Sequence, residues 1–304
     1  MSRSQNVELT KEGRIATIAL NRPDKLNAIN DALLEELMQA FRRIETMPEI
    51  QVVVVKGKGR CFSVGQDLSG VNTSEVMPPD PRTKPYESEI FEMARRRFHR
   101  LRSILDFPRF TIAQVHGYCL GIGCELAICC QSIIAAEDAV FGDPSIRMGL
   151  APANPLWTWR VGLKKAKELL LTGQYIDGRE AERIGLVMTA VSLKELENKV
   201  QLEALSKLQL GTIGGFDMQV TWGQFHQAAF ETTGLSAAWR LSSCLHSLSA
   251  IQRPGRSFID RGGFNFYKIR EEKGLKAALK ERDEPFEPYF PTPRPKTGHS
   301  KRRS

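Results

Sequence analysis

Residues 117–127 read GYCLGIGCELA, and the sequence on either side limits what they can be. Before them, Phe110 to Val115 is a short continuous apolar run of the kind a strand buried on both faces carries. After Gly121, Ile122 to Cys130 has the composition of a buried helix. The stretch is therefore a strand, a glycine-rich turn and a helix start. A dinucleotide fingerprint would place a third small residue where this chain has Glu125, which argues against nicotinamide binding. Glycines at a helix N-terminus leave backbone N–H groups unpaired, with the helix dipole behind them. Donors held that way stabilise a developing oxyanion by about 3 kcal/mol each. Glu125 lies in the first turn of the same helix, so its carboxylate can face the atoms those donors bind.

The same strand-and-turn pattern recurs along the chain. Val7 to Leu20 alternates apolar and polar residues around Glu12-Gly13, which predicts a β-hairpin. Asn30 caps a helix whose apolar residues run from Leu33 to Ile44. Val52 to Val55 is a second doubly buried strand, and Ser132 to Ala136 a further short one. A second turn, Lys58 to Ser69 (KGRCFSVGQDLS), follows the Val52–Val55 strand and is expected to present a free N–H at a helix start. A third, Phe141 to Gly149 (FGDPSIRMG), follows the Ser132–Ala136 strand. A fourth, Leu20 to Ala28 (LNRPDKLNA), is a polar loop with Lys25 available for a phosphate. Helices are expected over Glu87–Leu105, Leu193–Leu210, residues 217–250 and Gly274–Arg282. Strands alternating with helices give an α/β layered core, followed by an all-helical region.

Composition excludes several classes. The 304 residues are 41% hydrophobic and 26% charged, which is globular, and no apolar run is long enough for a membrane span. The first twenty residues interrupt every apolar run with charge and do not read as a signal peptide. Six cysteines, Cys61, Cys119, Cys124, Cys129, Cys130 and Cys244, lack disulfide-framework or metal spacing and read as reduced, mostly buried thiols of the cytoplasm. Scarce, scattered histidines suggest no metal. Cys61 and Cys124 flank the two turns without a partnering base and are expected to be structural, as is His116. The net charge of +8 falls to +3 without Arg294, Lys296, Lys301, Arg302 and Arg303, so the excess lies in a Pro-rich basic tail expected to be disordered. Ser69 to Pro85 has no apolar period and reads as a loop; the Arg95-Arg96-Arg97 run behind it is read as a solvated helix face.

The four turns, in this order and spacing, resemble the crotonase superfamily (the enoyl-CoA hydratase/isomerase family). The stretch from Leu170 to Val187 and the C-terminal Gly274 to Phe286 extend the resemblance over residues 7–290. It implies a crotonase-like spiral of β-β-α repeats over residues 1–192, a helical region for oligomerisation and pocket closure over 193–290, and the basic tail over 291–304. The implied substrate is an acyl-coenzyme A, with coenzyme A entering as part of it, no tightly bound cofactor and no metal. The resemblance makes the backbone N–H groups of Gln66 and Ile122 the oxyanion donors and Glu125 the acid/base. It places Lys25, Leu26, Ala28, Gly65 and Leu68 along coenzyme A, and a trimer or dimer of trimers as the assembly. Hydratases of the family carry a second glutamate after the proline of the third turn, where this chain has Ser145. Asp143, two residues upstream, can supply the missing carboxylate, since i and i+2 of an extended segment share a face. Ser145 and Trp157 are the candidate acyl-pocket residues, Trp157 standing in a segment that departs from the family's glycine-rich run. The expected reaction is hydration of, or double-bond migration in, an acyl-CoA. C–C cleavage, decarboxylation or thioester hydrolysis through the same enolate is the alternative, and an RNA-binding relative using the basic segments the reading of another class. Neither a membrane nor a nucleic acid is the expected partner.

Overall fold

The structure is a computed structural model and describes residues 5–69, 87–152, 154–214, 228–251 and 264–289, with 223, 225, 292, 293 and 295 besides. The expected hairpin is present as β1 (Val7–Glu12) and β2 (Ile15–Leu20), antiparallel about the turn. Helix α1 (Asp31–Glu45) follows, with the Asn30 side chain accepting from the Leu33 N–H. It buries Leu33, Leu34, Leu37, Met38, Phe41 and Ile44, the residues whose 3.6-residue period marks one face.

Strand β3 (Val52–Gly57) pairs in parallel with β2 and with β4 (Phe110–Val115). Its four valines are buried, as strands covered on both faces require. Helix α2 (Glu87–Leu105) precedes β4. Then come β5 (Tyr118–Leu120), α3 (Ile122–Cys129), β6 (Ser132–Ala136) and β7 (Val140–Gly142). The chain continues with α4 (Leu156–Thr172), β8 (Ile176–Asp177), α5 (Gly178–Arg183) and β9 (Thr189–Val191).

These strands make two sheets. One has six strands in the order β1-β2-β3-β4-β6-β9, the other three in the order β5-β7-β8. The first four strands all belong to the larger sheet; β5, β7 and β8 form the smaller one, and β6 and β9 return to the larger. Beyond β9 the described residues are helical: α6 (Leu196–Gly214), α7 (Leu235–Ile251), α8 (Phe266–Lys273) and α9 (Leu275–Asp283). The expected helix over 274–282 is the second of two, because Gly274 at φ +85°, ψ 165° breaks the rod between α8 and α9. The short strands β5, β7, β8 and β9 escape a period-based reading; each has only two or three residues. Residues 70–85 of the expected loop and 291, 294 and 296–304 of the expected tail lie outside the described residues, as do 217–222, 224, 226 and 227 of the expected helix.

Candidate active site

Two glycine turns meet at the site. Ser63 and Cys119 form a parallel bridge, with Ser63 N–H donating to the Tyr118 carbonyl at 2.9 Å and Leu120 N–H to the Ser63 carbonyl at 3.0 Å. This lays the 63–67 segment along β5. Gly65 (φ +94°) and Gly121 (φ +50°) face each other at the end of the bridge. A Cβ on Gly65 would stand 2.7 Å from the Leu120 carbonyl oxygen, so the close approach requires glycine there.

Ile122 is the first residue of α3, and its N–H has no intrahelical acceptor by position. The second turn departs from expectation, since no helix starts after it among the described residues. Gln66 lies instead in a parallel bridge with Ile29: Ile29 N–H donates to the Gly65 carbonyl at 2.7 Å and Asp67 N–H to the Ile29 carbonyl at 2.9 Å. In a parallel pairing the residue between the two bonded neighbours turns its own N–H away from the partner. Gln66 thus reaches by a bridge the free N–H that a helix start was expected to give. No hydrogen bond runs from the N–H of Gln66 or of Ile122 to another described residue.

The loop over Lys25, Leu26 and Ala28 is packed onto this second turn. Asn27, fully buried, donates from Nδ2 to the carbonyls of Lys58 (2.8 Å) and Cys61 (2.9 Å) and accepts from Arg22 N–H (2.9 Å). Leu26 and Asn27 both hold left-handed backbone, at φ 51° and 53°. Arg22 pairs with Asp67 at 2.8 Å across the two loops. The spacing of the motifs gives no sign of these clamps. From the C-terminal side, Arg270 of α8 donates to the Leu68 carbonyl at 2.6 Å, bringing that helix to the same edge.

Glu125 is buried, 1% exposed, on the first turn of α3. Burial pushes its carboxyl above the ordinary carboxylate range; a guanidinium, that of Arg97, opposes this, and the Asp143 carboxylate adds to it. The guanidinium is the correction to the sequence reading. Arg95 and Arg96 are exposed as a solvated face should be, but Arg97 turns inward from α2, and its Nη2 lies 2.8 Å from Glu125 Oε2. A run of three arginines on a helix cannot all share one face, and here the third one falls on the inner side.

Asp143 is also buried and caps a 3₁₀ turn, Pro144–Met148. Its Oδ1 accepts from the Ser145 N–H at 3.0 Å and from the Ser145 hydroxyl at 2.5 Å. Ser145 therefore acts on Asp143 directly. Trp157 is 1% exposed on the first turn of α4, its indole N–H enclosed without a partner among the described residues. Trp159 donates to Thr233 Oγ1 at 2.8 Å and Arg160 to the carbonyls of Ile128 and Cys130, which are packing roles.

The remaining candidates are structural. His116 Nε2 contacts the Gly59 carbonyl at 2.9 Å. The Cys61 thiol is pushed by burial up to about 11, which removes the thiolate an exchange nucleophile needs. Cys61, Cys119, Cys124, Cys129 and Cys130 are buried, Cys244 is exposed, and all six are free. No group of three or more potential metal ligands occurs among the described residues.

Two interleaved sheets, a pair of glycine turns with open N–H groups and a buried glutamate beside them define a crotonase-fold protein. The enoyl-CoA hydratase/isomerase family model matches residues 10–213, and the chain belongs to that family. A probable mitochondrial enoyl-CoA hydratase of Dictyostelium discoideum is 35% identical over 189 residues, 61% of this chain and 64% of the relative. This chain thus spans a little under two thirds of that relative's length. A probable enoyl-CoA hydratase of Mycobacterium bovis is 32% identical over 209 residues, 68% of this chain and 76% of the other. The crystal structure of an enoyl-CoA hydratase from Mycobacterium smegmatis superposes with a TM-score of 0.81 at 26% identity, covering 92% of this chain and 94% of that one.

Proposed function

We propose that the protein is an enzyme of the hydratase/isomerase type that binds an acyl-CoA and stabilises its thioester enolate between the N–H groups of Gln66 and Ile122. The observation that carries this is the junction of the two glycine turns, with two free N–H groups next to one buried glutamate. In double-bond migration, Glu125 would take a proton from one carbon of the acyl group and return it to another while the enolate oxygen rests on the two donors. In hydration, Asp143 would hold the water while Glu125 takes its proton as the oxygen bonds to the β-carbon and passes that proton to the α-carbon. The Ser145 bonds fix one Asp143 oxygen and leave the other for that role. Lys25, Leu26, Ala28, Gly65 and Leu68 would follow coenzyme A along the clamped loops, with Arg270 supporting closure from residues 193–290. Ser145 and Trp157 would border the acyl group.

Further parts of the reading rest on the surface and the thiols. Leu163, Leu171, Met188, Leu202 and Leu205 expose large apolar side chains, which supports burial in a trimer or dimer of trimers. Six free cysteines support a reducing compartment such as the cytoplasm. No helix among the described residues is long and apolar enough to cross a membrane.

Turnover of an acyl-CoA panel by the parent and by Glu125→Gln tests the proposal, with light scattering for the assembly. Loss of turnover with retained acyl-CoA binding in the variant is the expected result. Unchanged turnover removes Glu125 from the chemistry. A parent that makes free acid or carbon dioxide from the thioester, and no hydrated or isomerised product, would transfer the site to cleavage through the same enolate.

A further inference from the structure

The pairing of Arg97 with Glu125 poses a problem for the chemistry just described. The guanidinium occupies one oxygen of the carboxylate that must exchange protons with the acyl group, at 2.8 Å. The Glu125 side chain is 2% exposed and that of Arg97 22%, so the carboxylate is enclosed while the guanidinium side chain keeps partial contact with solvent. Arg97 Nε is buried as well and has no hydrogen-bond partner among the described residues. The guanidinium therefore enters the site with an unused donor.

The other arginines of α2 have partners elsewhere or face solvent. Arg95 pairs with Glu92, Arg100 with Asp31 and Glu35, and Arg102 with Asp106 and Glu231, while Arg96 is exposed. Asp143, the other acid acting on Glu125, has its Oδ1 held by both Ser145 donors and does not depend on the guanidinium. Arg97 thus pairs with Glu125, and an arriving substrate must deal with that bond.

Two kinds of acyl group would deal with it differently. An uncharged chain offers Arg97 nothing: the guanidinium stays on Glu125 Oε2 and leaves Oε1 alone for proton transfer. An acyl group with a carboxylate of its own offers a replacement partner. The planar fork can take that carboxylate on two donors, including the idle Nε, where Glu125 uses one. The exchange keeps the cation paired and frees the Glu125 oxygen for proton transfer.

We propose that Arg97 is the specificity residue for a second carboxylate on the acyl group, so that the substrates are CoA monothioesters of short unsaturated dicarboxylic acids. The inference rests on the acyl-CoA reading given above. The chain is short because Arg97 touches the same glutamate that serves the α- and β-carbons, which puts the second carboxylate only a few carbons beyond the thioester.

The test compares crotonyl-CoA with glutaconyl-CoA, which differ in the terminal carboxylate, on the full-length protein and on Arg97→Met and Arg97→Lys. The readout is the ratio of the two kcat/KM values, which is insensitive to the fraction of correctly folded variant. The parent is expected to prefer glutaconyl-CoA. Arg97→Met should lower the ratio by about 10²-fold, the scale of removing one partner of an enclosed charge pair, and Arg97→Lys should restore part of it. A parent that prefers crotonyl-CoA, or an unchanged ratio in Arg97→Met, overturns the inference and leaves the acyl-CoA reading standing. Turnover of neither thioester, with no binding of either, overturns that reading and the inference with it.

Discussion

A methyl group added at Gly65 would sit 2.7 Å from the Leu120 carbonyl oxygen and 3.3 Å from its carbon, in backbone at φ +94°. Ordinary van der Waals contact begins near 3.4 Å, so the two turns must part by about 0.7 Å to admit alanine. Oxyanion donors work at roughly 2.7–3.1 Å, and widening the gap by that amount takes one of them out of reach. Loss of one donor lowers kcat by about 10²–10³-fold. The strained backbone adds about 1–3 kcal/mol of destabilisation, which a thermal melt in parallel with the kinetics would separate from the catalytic loss. Gly234→Ala supplies the control: φ is +84° there, but nothing lies within 4 Å of the added carbon. It should carry the backbone penalty with kcat intact. A folded Gly65→Ala enzyme with kcat within about threefold of the parent at saturating enoyl-CoA would refute the claim that these two turns form the oxyanion site.

Glu125→Gln should lower kcat by about 10²–10⁴-fold, the usual scale of a lost acid/base. Because burial raises the folded carboxyl above its ordinary 4.5, the stability it contributes is complete below that value and is lost as pH rises through the folded pKa. The variant's Tm relative to the parent should therefore climb as pH rises above 4.5, and a flat difference would mean that Glu125 is not titrating against its burial. Asn27→Ala removes three hydrogen bonds and leaves alanine in left-handed backbone. It should cost about 3 kcal/mol in urea unfolding and raise KM for the CoA thioester more than it lowers kcat. Arg147→Met breaks a pair at 3.1 Å with Asp283 and the stacking on Phe286 at 4.3 Å, which together fasten α9 to the third turn. About 3 kcal/mol of stability should go with it, and a loss under about 0.5 kcal/mol would show that α9 is held elsewhere.

What could be read from the sequence follows from the range over which each signal acts. The Val52–Val55 and Phe110–Val115 runs, the α1 period behind Asn30 and the Gly117–Ala127 turn are local patterns, and the structure places each of them in the expected kind of element. The β5 and β7 strands are not local in that sense. Three residues carry no period, and they are strands because Tyr118–Leu120 and Val140–Gly142 find each other across the chain. The same holds for the clamps around Asn27 and for the Arg147–Asp283 pair, whose partners are separated by 31, 34 and 136 residues. The geometry at Gln66 was legible in outcome but not in form: the glycine announced an exposed N–H, while the bridge to Ile29 that delivers it depends on a loop nearly 40 residues earlier.

Arg97 and Ser145 show the limit most sharply, because each acts on an acid of the site that no motif pairs it with. Read in sequence, Ser145 is a missing glutamate. In the fold it is a double donor to Asp143, and Asp143 is near enough for its charge to act on Glu125. As proposed, the second acid would come from before the proline and be held by the serine that stands in the glutamate's place. Arg97, meanwhile, stands against Glu125 from a position 28 residues upstream of it. A substrate whose only charge is on coenzyme A would have to work around that cation. One that brings a carboxylate would complete it, and this is why the arginine, rather than the serine, is the residue on which the choice of acyl group should turn.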